Sequence, residues 1–360
     1  MSSESVQAVV VTHNRKALLL ECLEGIARQT HPVAGVLVVD NASTDGTEEA
    51  LEASGLPARM RIDYLRLVRN GGGAEGFHYG VRRALESGAD WIWLMDDDCE
   101  PPPSALADLL ASPRAADPDA VLLAPIVRSP DGDVLPLNRG WTRPRWFRSP
   151  LRGLAPEHYL RDEVEVDHVS LVGPLVRTRV AVREEPPRRD FFIRFDDLEW
   201  VSRLRRHGGL WLLPGAEIVH KDPRPVAGVG PLALWRDLRR GHRFEESWKL
   251  NYGLRNMIWC GRRDGYVTRG RLLSYVAVAA VRALLFQRHR LLSLPLAVLY
   301  PRDGWRGRFV NVPPDEWAEL PRHPRPLRVL RARALRYDRD VDEPVRRLEG
   351  GAAARVPSAG

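Results

Sequence analysis

The chain has 360 residues, 44% of them hydrophobic, and its 54 Lys and Arg residues outnumber its 47 Asp and Glu residues to give a formal net charge of +7. This composition excludes a disordered chain and predicts a globular protein with a large buried core, built as two domains or as one domain with an extension. The basic surplus is nearly all Arg. It suits anionic partners such as lipids, diphosphates or nucleic acids, but a GC-rich genome produces the same bias.

The cysteines and the N-terminal segment indicate the compartment. Cys22, Cys99 and Cys260 lie far apart and match no paired spacing, so the sequence predicts neither a disulfide framework nor a structural zinc site. Residues 1–15 show no basic segment followed by an apolar stretch, so no signal peptide is predicted. We expect a cytoplasmic protein, with peripheral contact at the inner face of the cell membrane as an open alternative.

Strand, loop and helix alternate four times in the N-terminal part of the chain. The predicted strands begin the stretches VQAVVVTHN, AGVLVVDNASTDGT, IDYLRLVRN and DWIWLMD. Short apolar runs that end in polar turn residues are typical of buried strands, and the segments between them place apolar residues at helical spacing. This alternation predicts an α/β fold with a mostly parallel sheet, whose ligands bind at the carboxyl ends of the strands.

The regular alternation weakens after three consecutive prolines at 101–103. Residues 138–160 follow no period, which predicts a long ordered loop over a site or a mobile lid. Residues 271–300 hold two apolar runs, each shorter than the roughly 20 residues that span a bilayer. They are either packed core helices or a membrane-surface element with Arg at the lipid headgroups. We therefore predict a catalytic domain over 1–245, a helical and membrane-associating or purely packed region over 246–345, and a disordered tail over 346–360.

The segment WIWLMDDDCEPPP brings three aspartates to the end of a buried strand. Asp96 and Asp98 lie one residue apart on either side of Asp97, so both can present carboxylate oxygens on the same side of the strand. Oxygen ligands of this kind suit a hard cation such as Mg²⁺ or Mn²⁺. A lone Asp triplet is more often a turn or a cap, and the preceding buried strand is what favours the metal site.

Other loops at the same predicted sheet edge carry residues that suit a nucleotide ligand. They are Thr12, Asn14 and Arg15 after the first strand, Asp40 after the second, and Asn70, Gly72 and Gly73 after the third. The Asp40 carboxylate can accept hydrogen bonds from a base or a ribose, and the glycines allow close backbone approach to a phosphate or sugar. The dinucleotide fingerprint does not follow the first strand, which disfavours an NAD enzyme.

Two later segments carry further candidate residues. In FFIRFDDLEW, the acidic side chains of Asp196, Asp197 and Glu199 either cap a helix or supply a general base in an aromatic environment. His220 ends the strand AEIVH and is either a packed edge histidine or a metal ligand.

In this order, these motifs resemble family 2 glycosyltransferases of the GT-A fold over roughly residues 6–260. The stretches NGGGAEGFHYG, WLMDDD, FIRFDDLEW and LPGAEIVH are most similar to those of actinobacterial galactofuranosyltransferases, and NYGLRN and DGWRGR are similar to those of related rhamnosyltransferases. The resemblance implies an inverting enzyme that uses a UDP-linked or dTDP-linked sugar, with Mn²⁺ or Mg²⁺ as its cofactor. It also implies a glycan or lipid-linked acceptor.

The resemblance also implies a role for each matching residue. Asp40 would bind the uridine, Asp96 and Asp98 the diphosphate and its cation, and His220 would complete the metal shell. Asp97 is expected to contact the sugar or a neighbouring loop. Asp197 would be the catalytic base, with Asp196 and Glu199 beside it.

The chain departs from the family pattern at two positions. Gly71 stands where an apolar residue is usual, and Glu75 replaces a glycine, so the shape of the sugar pocket is open. UDP-galactofuranose is the expected donor and dTDP-rhamnose its alternative, and the acceptor is either an envelope glycan or a secondary metabolite. The rival classes, a nucleotidyltransferase and a nucleic-acid-binding protein, are disfavoured because the first strand lacks a Gly-rich loop and the Arg residues are dispersed.

Overall fold

In the computed structural model, a twisted central sheet is covered by helices on both faces. The structure describes residues 4–143, 146, 149–221, 244–287, 289–337 and 345–348. Its strands are β1 (Val6–Thr12), β2 (Gly35–Asp40), β3 (Ile62–Arg66), β4 (Trp91–Asp96), β5 (Cys99–Glu100), β6 (Ala120–Arg128), β7 (Arg139–Thr142), β8 (Leu151–Gly153), β9 (Val164–Val166), β10 (His168–Val169), β11 (Leu175–Arg177), β12 (Gly209–His220) and β13 (Arg346–Arg347).

The α-helices fall into two groups, those between the strands and those of the C-terminal region. They are α1 (Lys16–Ala27), α2 (Thr47–Ala53), α3 (Gly73–Ala84), α4 (Ala105–Ala111), α5 (Pro113–Ala116), α6 (Thr178–Ala181), α7 (Asp196–Leu204), α8 (Trp248–Arg263), α9 (Arg269–Phe286), α10 (Arg290–Arg306), α11 (Pro314–Glu319) and α12 (Pro326–Ala332).

The order of strands in the large sheet is β13-β3-β2-β1-β4-β11-β6-β12-β5, and β9 pairs with β12. The pairs β1–β2, β1–β4, β2–β3 and β6–β12 are parallel. This confirms the predicted α/β class with a mostly parallel sheet and a helical C-terminal region. Apolar side chains alternate between the two faces of the strands, so each face has its own buried core cluster under its own helices.

The C-terminal helices form a separate aromatic core against the segment that precedes α7. Phe192 packs in this core with Trp248 and Tyr252 of α8. Helices α9 and α10 contain the two predicted apolar runs. Among the helices that the structure describes, none is long and apolar enough to cross a bilayer.

Two segments differ from the sequence-based expectations. The expected loop over 138–160 contains β7 and β8, which form a small three-stranded sheet with β10. Its strands were missed because they are only four and three residues long and pair with a distant segment, so no period of 2 develops. At the start of the expected tail, Arg346 and Arg347 pair antiparallel with β3, whereas residues 349–360 lie outside the described residues.

Candidate active site

The parallel register brings the ends of three strands to one edge of the sheet. Thr12 at the end of β1 is aligned with Asp40 of β2, and Val11 is aligned with Asp96 of β4. The predicted nucleotide-side residues Thr12, Asp40 and Asp96 therefore meet because β1 lies between β2 and β4. This is the edge where ligands of open α/β sheets bind.

The two aspartates that follow Asp96, the last residue of β4, make their shortest side-chain contacts with different residues. Asp97 accepts a hydrogen bond from the Thr12 hydroxyl at 2.7 Å, which ties the triplet to the end of β1. Asp98 accepts a hydrogen bond from the Arg15 guanidinium at 2.9 Å and lies 3.1 Å from Nε2 of His220 at the end of β12. The sequence motif is thus divided between a loop contact, made by Asp97, and a contact with His220, made by Asp98.

Burial and neighbouring charges shift the pKa values of the three carboxyl groups in different directions. Burial raises the pKa of Asp96 well above its usual range, and the charges of Asp98 and Asp97 raise it further. Burial also raises the pKa of Asp97 to about 6. Burial acts in the same direction on Asp98, but hydrogen bonds and charge from His220 and Arg15 outweigh it and lower the pKa of that carboxyl.

The donor atoms at this position fit a hard divalent cation. Two carboxylates and one imidazole would supply ligands, and a bound cation would relieve the repulsion that raises the pKa of Asp96. The side chains are not already gathered in a ligand shell. Over the described ranges, no group of three or more His, Cys, Asp or Glu side chains is arranged to hold a metal ion.

Several predicted nucleotide contacts are engaged within the protein. Asp40 is fully buried and accepts hydrogen bonds from the Ser43 amide at 2.8 Å and the Tyr64 hydroxyl at 2.5 Å. Asn14 accepts from the Thr44 amide at 2.7 Å, so its side chain holds the β1 and β2 loops together. The structure thus places Asp40 beneath the sheet edge rather than open to a ligand.

The glycine cluster approaches protein backbone. Gly72 has φ +83°, and a Cβ added there would lie 2.1 Å from the carbonyl oxygen of Phe192. The backbone amide of Gly72 donates a hydrogen bond to the side-chain oxygen of Asn70. In contrast, a Cβ added at Gly73 would meet no atom within 4 Å. Gly72 is therefore required for the contact between the start of α3 and the segment before α7.

The two departures from the family pattern compensate each other. A Cβ added at Gly71 would lie 1.5 Å from a carboxylate oxygen of Glu75. The Glu75 side chain is fully buried, its pKa is raised by burial, and it lies 3.3 Å from the Arg69 guanidinium. The acidic side chain thus occupies the space that the missing apolar side chain leaves.

The segment FFIRFDD holds its carboxylates on an unusual backbone. Phe192, Arg194 and Phe195 have φ values of 67°, 65° and 65°. These left-handed conformations are costly for residues with large side chains and persist only where surrounding contacts impose them. Immediately after them, Asp196 and Asp197 form the first turn of α7, where the helix dipole favours negative charge.

A side chain from α8 supplies the contacts that hold this segment. Asn256 is fully buried, and its amide nitrogen lies 3.0, 3.1 and 2.9 Å from the carbonyl oxygens of Phe191, Ile193 and Arg194. The Arg255 guanidinium donates to the Asn256 side-chain oxygen and to the carbonyl of Phe191. Sequence reasoning missed this role, although both residues lie in the NYGLRN motif that carried part of the resemblance.

The three acidic residues of this segment have different surroundings. Asp196 is buried, and its pKa is raised first by that burial and then by the charge of Asp197. Asp197 is partly exposed and accepts a hydrogen bond from the Leu198 amide. Glu199 is buried and paired with Arg203 at 2.9 Å and Arg263 at 2.6 Å, which suits a contact between α7 and α8. Of the three residues, Asp197 is the one that is partly exposed.

Comparisons with known proteins agree with this arrangement. The profile of glycosyl transferase family 2 matches residues 7–166. The chain is 34% identical over 212 residues to galactofuranosyltransferase GlfT1 of Mycolicibacterium smegmatis, covering 57% of this chain and 67% of that protein. It is also 27% identical over 243 residues to N-acetylglucosaminyl-diphospho-decaprenol L-rhamnosyltransferase of Mycobacterium tuberculosis, covering 61% of this chain and 76% of that protein.

A solved structure supports the fold. The crystal structure of GalNAc-T7 with UDP, GalNAc and Mn²⁺ superposes with a TM-score of 0.56 at 16% identity, covering 84% of this chain and 54% of that chain. The chain matches about two thirds of the length of the GlfT1 proteins. With an acidic triplet at the edge of a parallel sheet and a second carboxylate pair at the start of α7, the chain is a member of glycosyltransferase family 2 with the GT-A fold.

Proposed function

We propose that the protein is a metal-dependent, inverting glycosyltransferase that moves galactofuranose from UDP-galactofuranose to a hydroxyl of a lipid-linked or cell-envelope glycan. The observation that carries the proposal is the division of carboxylates between two neighbouring places. Asp96 and Asp98 lie at the sheet edge and Asp197 at the start of α7, and the Asp196 charge contributes to the raised pKa of Asp96. One group suits a leaving diphosphate and the other an attacking hydroxyl.

On the donor side, Asp96, Asp98 and His220 would hold Mn²⁺ or Mg²⁺. When bound, the cation neutralises the charge that develops on the departing diphosphate. Arg15 carries a further positive charge at this edge, 2.9 Å from Asp98. Thr12 fixes Asp97 through its hydroxyl, so the loop after β4 keeps its position relative to β1.

On the acceptor side, Asp197 removes the proton from the acceptor hydroxyl. The hydroxyl oxygen attacks the anomeric carbon as the bond from that carbon to the nucleotide diphosphate breaks. Attack from the face opposite the nucleotide inverts the configuration, as in inverting glycosidases. Burial favours the protonated form of Asp196, so this neighbour holds a proton while Asp197 accepts one. Exposure supports the same choice, because Asp196 is buried and Asp197 is not.

The donor sugar rests on the relatives. Galactofuranose is the proposed sugar because the 34% identical relative GlfT1 is a galactofuranosyltransferase. A rhamnosyltransferase that uses dTDP-rhamnose is the second candidate, because the 27% identical relative is a rhamnosyltransferase. In this proposal the acceptor lies at the inner face of the cell membrane. Residues 1–245 supply the chemistry, and residues 246–345 contact the acceptor and the membrane surface.

A donor panel tests the proposal. Purified protein is given UDP-galactofuranose, UDP-galactopyranose or dTDP-rhamnose with a lipid-linked glycan acceptor, with and without EDTA. We expect transfer from UDP-galactofuranose, loss with EDTA and recovery with Mn²⁺, and an inverted anomeric configuration by NMR. Transfer from dTDP-rhamnose alone would favour the second candidate. Turnover that is indifferent to EDTA would contradict the metal assignment.

A further inference from the structure

An apolar cavity opens between the C-terminal helices and the segment that carries the candidate base. Its volume is about 340 Å³, within the general size range of small-molecule sites. Its lining includes Arg194, Phe195, Leu254, Val278, Ala279 and Ala297. The cavity wall is therefore formed by α8, α9 and α10 together with the residues immediately before α7.

The position of the cavity links it to the acceptor side of the site. Phe195, which lines the cavity, directly precedes Asp196 and Asp197. Arg194 lies in the lining as well, and a Cβ added at Gly253 of α8 would lie 3.0 Å from its Cδ atom. The cavity thus adjoins the residue that precedes α7, on the side of the C-terminal helices.

Two buried polar atoms in the cavity wall have no hydrogen-bond partner among the described residues. The side chains of Gln287 and Ser293 are 9% and 7% exposed, and Oε1 of Gln287 and Oγ of Ser293 make no hydrogen bond within the part of the chain that the structure describes. A buried polar group without a hydrogen bond is unfavourable, because it has lost its contact with water and gained no partner. Their presence beside the apolar side chains of the wall favours a ligand with both apolar and hydrogen-bonding parts.

The outer surface of the same helices is unusually apolar. Leu284, Leu285, Leu291 and Val298 of α9 and α10 are 46%, 49%, 94% and 48% exposed. Apolar side chains clustered on exposed helices are typical of surfaces that contact a partner or a membrane. Arg282, which also lines the cavity, adds positive charge beside this surface. Cavity, cation and apolar surface together match an anionic lipid.

We propose that this cavity binds the first isoprenoid units of a polyprenyl diphosphate-linked acceptor, with Arg194 and Arg282 near the diphosphate and the sugar directed to Asp197. The inference rests on the proposed function, because it assumes a lipid-linked acceptor. It adds the place where the isoprenoid part of that acceptor is bound. The remaining isoprenoid units leave the cavity over the exposed leucines of α9 and α10.

A matched pair of substitutions on α9 tests this assignment. Ala279 lines the cavity, whereas Ala277 is exposed and lies outside the lining. Binding of geranylgeranyl diphosphate to the full chain is measured by tryptophan fluorescence, with inorganic diphosphate as the probe for the head group alone. We expect Ala279→Trp to weaken geranylgeranyl diphosphate binding at least about tenfold, because the indole fills the cavity, and Ala277→Trp to leave it within about twofold.

Melting temperatures show whether both variants are folded. Equal binding by the two variants, or equally tight binding of inorganic diphosphate and geranylgeranyl diphosphate, would overturn the assignment. These measurements need no donor sugar. If binding behaves as expected but the wild-type protein transfers no sugar from any donor, the proposed function fails while the lipid site stands.

Discussion

The two carboxylate groups of the candidate site are held by opposite means. Asp96 ends a regular central strand that is buried up to Met95 and paired on both sides. Asp197 follows three residues in left-handed conformations, and side chains of a distant helix hold that segment. Strand pairing within the sheet thus positions Asp96, whereas contacts with the C-terminal region position the start of α7.

This difference has a functional consequence for the C-terminal helices. Arg255 and Asn256 connect the segment before α7 to Asn311, whose side chain donates to the carbonyl of Asp190 at 2.7 Å. A change in the C-terminal region can therefore move Asp197 without touching the sheet edge. Donor binding and acceptor activation should respond differently to substitutions in the two regions.

We expect Asp197→Asn to cause the largest difference between its effect on turnover and its effect on UDP binding. Loss of a general base should lower kcat by about 10²–10⁴-fold, while UDP affinity in the presence of Mn²⁺ stays within about twofold. Initial rates and UDP titration by calorimetry measure the two effects. A variant that retains wild-type turnover would remove Asp197 from the base role.

Asp96→Asn should produce the opposite pattern. Because Asp96 is assigned as a ligand of the cation, we expect metal-dependent UDP affinity to fall by at least the roughly 10–100-fold that loss of a residue supporting a metal ligand causes, with transfer falling alongside it. UDP titrations with and without Mn²⁺ give the result. If this variant bound UDP and Mn²⁺ like the wild-type protein, the donor side of the comparison would be wrong.

Asn256→Ala tests whether the C-terminal helix positions the base. Removing the amide takes a hydrogen-bond donor from three carbonyl groups, although the Phe191 carbonyl keeps its bond from Arg255. A misplaced base should lower kcat about 10–100-fold with little change in the KM for the sugar nucleotide. Rates are measured below the melting temperature of the variant. A parallel loss of UDP affinity would mean that the variant disturbs the whole fold rather than the position of Asp197.

The smallest effect concerns a residue outside both groups. Burial lowers the pKa of His168 from 6.5 to about 4, with the Arg139 charge acting in the same direction and the Leu137 carbonyl and Asp167 opposing it. Below pH 6.5 the unfolded chain binds a proton that the folded protein excludes, so the free energy of unfolding should fall as the pH drops toward 4.

Urea denaturation between pH 7 and pH 4 measures this loss, which we expect to be of order 3 kcal/mol for His168 alone. His168→Gln should show a flatter dependence than the wild-type protein. Equal slopes would assign the acid sensitivity to the carboxylate groups instead.

Sequence reasoning succeeded where the determinants are local. The four strands, the polar loops at their carboxyl ends and the start of α7 follow from apolar runs, helical spacing and the position of acidic residues. The parallel α/β class then implies that Thr12, Asp40 and Asp96 share one edge, as the register confirms. The sequence by itself also determined that Asp196 and Asp197 lie in the first turn of a helix.

Only the tertiary structure decided how these residues are held. Gly72 faces Phe192, Glu75 fills the space beside Gly71, and Asn256 supports the segment before α7. Gly72 and Asn256 contact residues that are distant in sequence, so these contacts leave no periodic signal. Gly71 and Glu75 are four residues apart, but this spacing does not reveal that one side chain fills the space beside the other. Contacts between distant segments depend on the packing of the whole chain, and packing has no counterpart in local propensity.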